Sequence, residues 1–296
     1  MTGSLALAKG VLYVGTEEKT AHVRSFDLDG RELDVGFSFR GPDGAAASAV
    51  GLDVDEDHRL WVADSTGGEL SLFTLFGEAI AGVDLATQGE RDAPGVLGRP
   101  VDVLSRGCDD QQEVLVASGG VRRHAVQLLP LGPGKPESLR PMGRPDGQFR
   151  NVRGIAWRDS FVWVAEAGAN RVQVFRDGDF HFAFQVATAG RAAFLPMAIR
   201  ALEDGRLLVA QGGANSALLL LDTGGRLLST IVESGLEEGK VFHPADLAVL
   251  EGEDDRHTRI VVIDAEGTRV QLFNLAGDSH GTFPGFARSN QAWEPE

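Results

Sequence analysis

A short apolar triplet recurs six times along the chain at nearly constant intervals. The copy in the middle is "VAE" at 164–166, and the others are "VGT" at 14–16, "VAD" at 62–64, "VAS" at 116–118, "VAQ" at 209–211 and "VID" at 262–264. Successive copies begin 45 to 54 residues apart. Self-similarity at such a period predicts an array of structural repeats, each too small to bury its own apolar surface.

Each triplet lies among four short apolar runs. In the fourth repeat, residues 155–157 precede it, "VQVF" at 172–175 follows it, and a glycine-containing turn leads into "FHFAF" at 180–184. The runs are rich in β-branched and aromatic residues and are bounded by Gly, Asp and Asn, which is typical of strands and hairpins. No segment has convincing helical periodicity. The sequence therefore predicts an all-β protein, a six-bladed β-propeller of four-stranded antiparallel blades.

The linkers between repeats support this interpretation independently. Four of the five place a glycine seven residues before the next innermost strand, namely Gly44 to Gly51, Gly95 to Asp102, Gly147 to Gly154 and Gly239 to Asp246. The fifth, from Gly190 to Ala198, spans eight. We expect residues 1–286 to form the propeller and 287–296 a C-terminal tail. The first repeat begins almost at Met1 and the last ends near Phe283, so the sequence leaves the closure of the ring open.

The fourth repeat carries a family resemblance. The segment "GQFRNVRGIAWRDSFVWVAEAGANRVQVF" resembles an NHL repeat, whose pattern runs Gly-Gln-Phe, Pro-x-Gly-Ile-Ala, Val-Ala-Asp and Arg-Val-Gln-Val-Phe. Val152 stands in place of the proline, and the sixth repeat keeps "FHPADLAV" and "RVQLF". The resemblance implies a propeller of this type. It does not imply one activity, because the same propeller hosts unrelated functions.

Charge and composition restrict the partner. The net charge of −15 argues against nucleic acid, because phosphate binding needs clustered positive charge. Residues 122–158 nevertheless carry eight basic and two acidic side chains, a net charge of +6. The single cysteine, Cys108, excludes an internal disulfide framework. No apolar run approaches the ~18 residues of a membrane helix, and the N-terminus lacks a basic leader, so we expect a cytoplasmic protein.

Propeller topology predicts which residues share a face. The loops joining the second strand to the third and the linkers between blades lie on one side, termed here the loop face, where ligand sites usually gather. The candidates for binding there are Arg122, Arg123, Arg150, Arg153, Asp102, Asp246 and His243. Asp102, Arg153 and Asp246 lie at the starts of innermost strands, where a cation or polar ligand would meet them. The alternative is that small residues are required where six strands converge and that the aspartates accept hydrogen bonds from backbone amides.

Carboxylates also end three of the six triplets. Asp64, Glu166 and Asp264 alternate with neutral polar residues around the ring and could bind a hard cation such as calcium. A structural role is favoured, because Arg171 and Arg269 each follow their carboxylate by five residues and can close the hairpin with a charge-assisted hydrogen bond.

The histidines offer a second route to a metal. His22, His124 and His243 could reach the loop face, and three imidazoles can bind zinc. They occupy three different repeat positions, however, so the sequence does not predict a histidine metal site.

These observations favour a non-catalytic scaffold that binds a protein or peptide through the loop face at blades three, four and six. We expect a monomer without a cofactor and with neither nucleic acid nor membrane as partner. The main alternative is a metal-assisted lyase or hydrolase at the channel mouth, with Asp102, Asp246 and His243 near a calcium or zinc ion. A small-molecule sensor is the third class.

Overall fold

A computed structural model describes residues 3–15, 21–41, 44, 47–80, 85–86, 93–107, 112–143, 146–187, 193–264 and 269–283. These residues form six four-stranded antiparallel sheets, each in sequence order from the centre outward. The six-bladed β-propeller is therefore confirmed. Residues 284–296 lie outside the described part, so the boundary between propeller and tail stays a prediction. Within the described residues, no helix has the length and apolar character needed to cross a membrane.

The first three blades have four strands each, and a separate two-stranded ladder lies between blades three and four. Blade one comprises β1 (Ser4–Ala8), β2 (Val11–Gly15), β3 (Ala21–Asp27) and β4 (Glu32–Phe39). Blade two comprises β5 (Ala49–Val54), β6 (Arg59–Asp64), β7 (Glu69–Thr74) and β8 (Leu85–Ala86). Blade three comprises β9 (Pro100–Arg106), β10 (Glu113–Ser118), β12 (Val126–Pro130) and β13 (Glu137–Ser138). A two-stranded ladder on the loop face pairs β11 (Val121–Arg122) with β14 (Phe149–Arg150).

The last three blades are the more regular ones. Blade four comprises β15 (Val152–Arg158), β16 (Phe161–Glu166), β17 (Arg171–Arg176) and β18 (Asp179–Phe184). Blade five comprises β19 (Pro196–Ala201), β20 (Leu207–Gln211), β21 (Ala217–Leu221) and β22 (Leu227–Val232). Blade six comprises β23 (Asp246–Leu250), β24 (Arg259–Asp264), β25 (Arg269–Asn274) and β26 (Ser279–Phe283).

The apolar core is divided among the contacts between neighbouring blades. Six buried apolar clusters occur, and each combines side chains from two adjacent blades. The middle strands are accordingly buried on both faces, as in β20, whereas the outer strands β4 and β18 alternate between exposed and half-buried residues. A blade therefore buries its two faces only by contact with its neighbours, as the repeat pattern predicts.

Among the described residues, no strand is exchanged between the first and last blades. Blade one is built from β1–β4 alone and blade six from β23–β26 alone. The faces of these two blades pack directly, with Leu5, Val14 and Phe26 against Val261 and Ile263. The seam between the chain termini is thus held by the same kind of apolar contact as every other blade interface.

We expect Ile263→Ala to lower the free energy of unfolding by about 2–5 kcal/mol, because it leaves a cavity in a fully buried contact between blades six and one. Urea denaturation of the whole chain measures this. Leu228→Ala is the matched control, since Leu228 is 43% exposed on the outer strand β22 and its truncation leaves no cavity. Similar losses in the two variants would contradict closure of the ring by packing of this seam.

Candidate functional site

Four charged side chains meet where the innermost strands converge, and we term them the central cluster. They are Asp53 of β5, Asp102 of β9, Arg200 of β19 and Asp246 of β23. The Nη1 atom of Arg200 lies 3.3 Å from Oδ2 of Asp102, and its Nη2 atom lies 3.3 Å from Oδ1 of Asp246. One guanidinium therefore connects blade five to blades three and six.

The aspartates of the central cluster also bond to the next blade. Leu5 N of blade one donates to Asp246 Oδ2 at 2.9 Å, and Ile155 N of blade four donates to Asp102 Oδ2 at 2.9 Å. Asp53 Oδ2 accepts from both the amide (2.7 Å) and the hydroxyl (2.6 Å) of Ser105 in blade three. The cluster thus ties the six innermost strands together through charged groups.

Burial governs the protonation of this cluster. It raises the pKa of Asp53 to about 7, against the opposing effects of the Ser105 hydrogen bonds and of Arg200. Burial likewise raises the pKa of Asp246 to about 6 and that of Asp102 above its ordinary value, although Arg200 opposes both shifts. Burial alone would lower the pKa of Arg200, but the three carboxylates raise it. Because three acids face one cation, the cluster holds protons well above the usual range for aspartate.

The structure places the two predicted channel residues Asp102 and Asp246 inside this cluster. Asp102 is 4% exposed, and its oxygens are occupied by Arg200 and by the amides of Val103 and Ile155. This geometry matches the alternative in which the aspartates accept backbone amides. Small residues are also required nearby, because a Cβ on Gly154 would lie 3.0 Å from the Cα of Ala198.

The carboxylates that end the triplets close their own hairpins, as predicted. Glu166 Oε2 accepts from Arg171 Nε at 2.6 Å, and Asp264 Oδ2 accepts from Arg269 Nη2 at 2.6 Å. Asp64 has no arginine opposite it in the strand register and instead accepts from the amides of Ser48 (2.8 Å) and Thr66 (2.9 Å). These three carboxylates thus serve as acceptors within the blades.

In blades four and six the same carboxylates hold the incoming linker. Arg150 N donates to Glu166 Oε1 at 2.7 Å, and Phe242 N donates to Asp264 Oδ1 at 2.6 Å. A buried glutamine on the third strand adds a bond, since Gln173 Oε1 accepts from Met142 N (3.0 Å) and Gln271 Oε1 accepts from Gly239 N (3.3 Å). We term each set a linker clamp; the two sets are Glu166, Arg171 and Gln173, and Asp264, Arg269 and Gln271.

The four arginines of the predicted binding face gather beside the ladder of β11 and β14. This ladder pairs Val121 with Arg150 and Arg122 with Phe149, and so joins a loop of blade three to the entry of blade four. Arg123 is exposed, whereas the guanidinium of Arg122 packs over Gly98. Arg150 is half-buried and pairs with Asp146 at 2.6 Å, and Arg153 is half-buried at the start of β15.

Exposed apolar side chains accompany these arginines on the loop face. Val121 and Met142 are each 52% exposed beside blades three and four. Leu236 is 67% exposed and Phe242 is 36% exposed in the linker that enters blade six. Large apolar groups exposed next to charged ones are typical of a protein-binding surface. The repeat pattern does not single out these apolar residues, but their position inside otherwise polar linkers is a signal that the sequence carries.

The histidines are spread over different elements. His243 is half-buried; its amide donates to Ser216 Oγ at 3.0 Å and its ring packs on Phe242. Its left-handed backbone (φ +59°) matches that of Asn151 (φ +52°), which occupies the same repeat position in blade four. In the ranges that the structure describes, no group of three or more His, Cys, Asp and Glu side chains is placed to hold a metal ion. Cys108 lies outside those ranges.

Solved structures with the same architecture include both binding and catalytic proteins. A chain of a nidogen/laminin complex matches with a TM-score of 0.63 and 14% identity over 93% of either chain. Virginiamycin B lyase from Staphylococcus aureus matches with a TM-score of 0.59 and 13% identity over 97% of this chain and 85% of the enzyme. A catalytically inactive variant of that lyase with quinupristin gives a TM-score of 0.58 and 13% identity, over 94% and 82% of the two chains. No family model and no curated protein matches the chain. At these identities the likeness shows the propeller fold alone.

We expect Asp53→Asn to stabilise the protein more at about pH 8 than at about pH 5, by about 2–3 kcal/mol. The folded-state pKa of Asp53 is raised to about 7, so the stability that the protonated carboxyl confers on the wild type is fully present below the ordinary pKa of aspartate, about 4, and is lost progressively as the pH rises to about 7. Urea denaturation at several pH values measures the effect. Asp159→Asn is the control, because Asp159 is 84% exposed. Equal effects of Asp53→Asn at both pH values would contradict a buried, protonated Asp53.

Proposed function

We propose that this chain is a non-catalytic propeller that binds a protein or peptide partner through its loop face at blades three, four and six. The observation that carries the proposal is the coincidence, on that face, of exposed apolar side chains with the basic groups around β11 and β14. Met142 and Phe242 supply apolar contact area there. Arg123 and Arg150 supply positive charge on the same face, at blades three and four.

The charge distribution indicates the chemistry of the partner. Residues 122–158 carry a net charge of +6, while the remainder of the chain carries 20 basic and 41 acidic residues. A partner segment with carboxylates and an apolar anchor complements this face and is repelled by the rest of the surface.

The bonds that Asp102 and Asp246 already make to Arg200 and to backbone amides favour a binding role over catalysis. A metal-assisted lyase or hydrolase using Asp102, Asp246 and His243 would require the aspartates to exchange Arg200 and backbone amides for a cation. Elemental analysis of the purified protein distinguishes the two proposals. Stoichiometric calcium or zinc that survives dialysis would favour the enzyme and count against the scaffold.

We expect the double variant Arg123→Glu, Arg153→Glu to abolish capture of the partner, because it reverses two charges on the loop face without altering the core. A photo-crosslinking residue in place of Met142 identifies the partner, and binding of the purified partner to each variant is then measured by calorimetry at two salt concentrations. Arg176→Glu is the matched control, since Arg176 is 57% exposed at the opposite end of the blade.

Unchanged affinity in the double variant would reject the proposed face. A crosslink formed equally well from position 228, on the outer strand β22, would reject it also, because a partner on the loop face lies away from that strand. An affinity that weakens as salt is raised is the further expected result, because part of the attraction is electrostatic.

A further inference from the structure

Blade five lacks every side chain of the linker clamp. The strand register pairs Gln211 with Ala217 as it pairs Glu166 with Arg171 in blade four and Asp264 with Arg269 in blade six. Two residues further along the third strand, Leu219 stands where blades four and six have Gln173 and Gln271. The carboxylate, the arginine and the glutamine are therefore replaced together, by an amide, a methyl group and an isobutyl group.

A cavity occupies the place of the missing side chains. It has a volume of about 360 Å³ and is lined by Gln211, Ala217 and Leu219 together with groups from the flanking segments. Val186, Leu219 and Leu227 make its walls partly apolar, and Glu233 contributes a carboxylate. This volume and this mixture of an apolar wall with a few polar groups are typical of sites for small ligands.

The buried amide of Gln211 provides a group that a ligand can satisfy. Gln211 is 2% exposed, and its Nε2 atom donates to the carbonyl of Asn215 at 2.7 Å, which identifies the other atom as the oxygen. The Oε1 atom is buried and accepts no hydrogen bond from the residues that the structure describes. A buried acceptor without a donor is unfavourable, so a donor that reaches this atom is stabilised.

The other blades indicate which donor fits. In blade four a guanidinium on the third strand donates to the carboxylate at the position of Gln211, from Arg171 Nε to Glu166 Oε2 at 2.6 Å. In blade six Arg269 donates to Asp264 and to the carbonyls of Gly235 and Lys240. Ala217 removes this internal guanidinium from blade five and leaves its site open.

We infer that the blade-five cavity binds the arginine side chain of another molecule, in the place where Arg171 and Arg269 lie in blades four and six. The methylenes of the ligand pack against Leu219 and Val186, since arginine carries an apolar stem below its charged head. The guanidinium donates to Gln211 Oε1 and is paired by the carboxylate of Glu233, and the overall charge of −15 favours its approach. The inference rests on the comparison of the blades and is independent of the loop-face proposal.

Titration of the full chain with N-acetyl-arginine amide, followed by ¹⁵N NMR, tests this inference. We expect saturable binding with shifts centred on Gln211, Ala217 and Leu219. N-acetyl-citrulline amide has the same shape without the charge, and its affinity should be lower by about tenfold or more. No saturable binding of the arginine probe would overturn the inference. Equal binding of N-acetyl-lysine amide would overturn the assignment to a guanidinium.

Two variants locate the site. The triple variant Gln211→Glu, Ala217→Arg, Leu219→Gln rebuilds the clamp of blade four, so it should fill the cavity, abolish binding and raise Tm. The single variant Gln211→Leu keeps the cavity but removes the acceptor, and it should weaken binding about tenfold even if the triple variant does not fold. Phe76→Ala is the control and should bind the probe as the wild type does, because Phe76 is 74% exposed in blade two and carries no charge. Binding that Gln211→Leu leaves unchanged would place the ligand elsewhere and refute the site.

Discussion

The single guanidinium of Arg200 is the interaction on which the centre of this propeller depends. Three aspartates converge on it from blades two, three and six, and each aspartate also accepts a hydrogen bond from a backbone amide. Three neighbouring carboxylates, one buried and two half-buried, would be strongly unfavourable without a cation. The charge of Arg200 and the proton that the aspartates retain offset this cost. The centre is therefore held by charge, and the interfaces between the blades are held by apolar contacts.

The groups used in these two kinds of contact are not available to bind a partner. The central cluster and the clamps of blades four and six use their polar groups internally, so they anchor strands and linkers. Other groups face outward on the loop face, where Arg123, Met142 and Phe242 are exposed. Blade five differs from blades four and six, because the replacement of its clamp leaves a cavity and a buried acceptor at Gln211.

Much of this arrangement could be predicted from the sequence, because repeat periodicity reports on local structure. The strand pattern gave the blades, and the five-residue spacing from Glu166 to Arg171 gave the hairpin salt bridge. The central cluster could not be predicted in the same way. Arg200 reaches Asp102 and Asp246 across 98 and 46 residues of sequence, so no local pattern joins them. The packing of blade one against blade six could not be predicted either, because it depends on which faces meet and not on any one strand.

Denaturation of an Arg200→Leu variant as a function of pH tests the central role of this cluster most directly. The account predicts a loss of about 3–5 kcal/mol in the free energy of unfolding at about pH 8, since the substitution leaves buried carboxylates without their cation. Part of that loss should be recovered at about pH 5, where the aspartates bind protons in the folded state. A variant as stable as the wild type, or a loss independent of pH, would contradict the account.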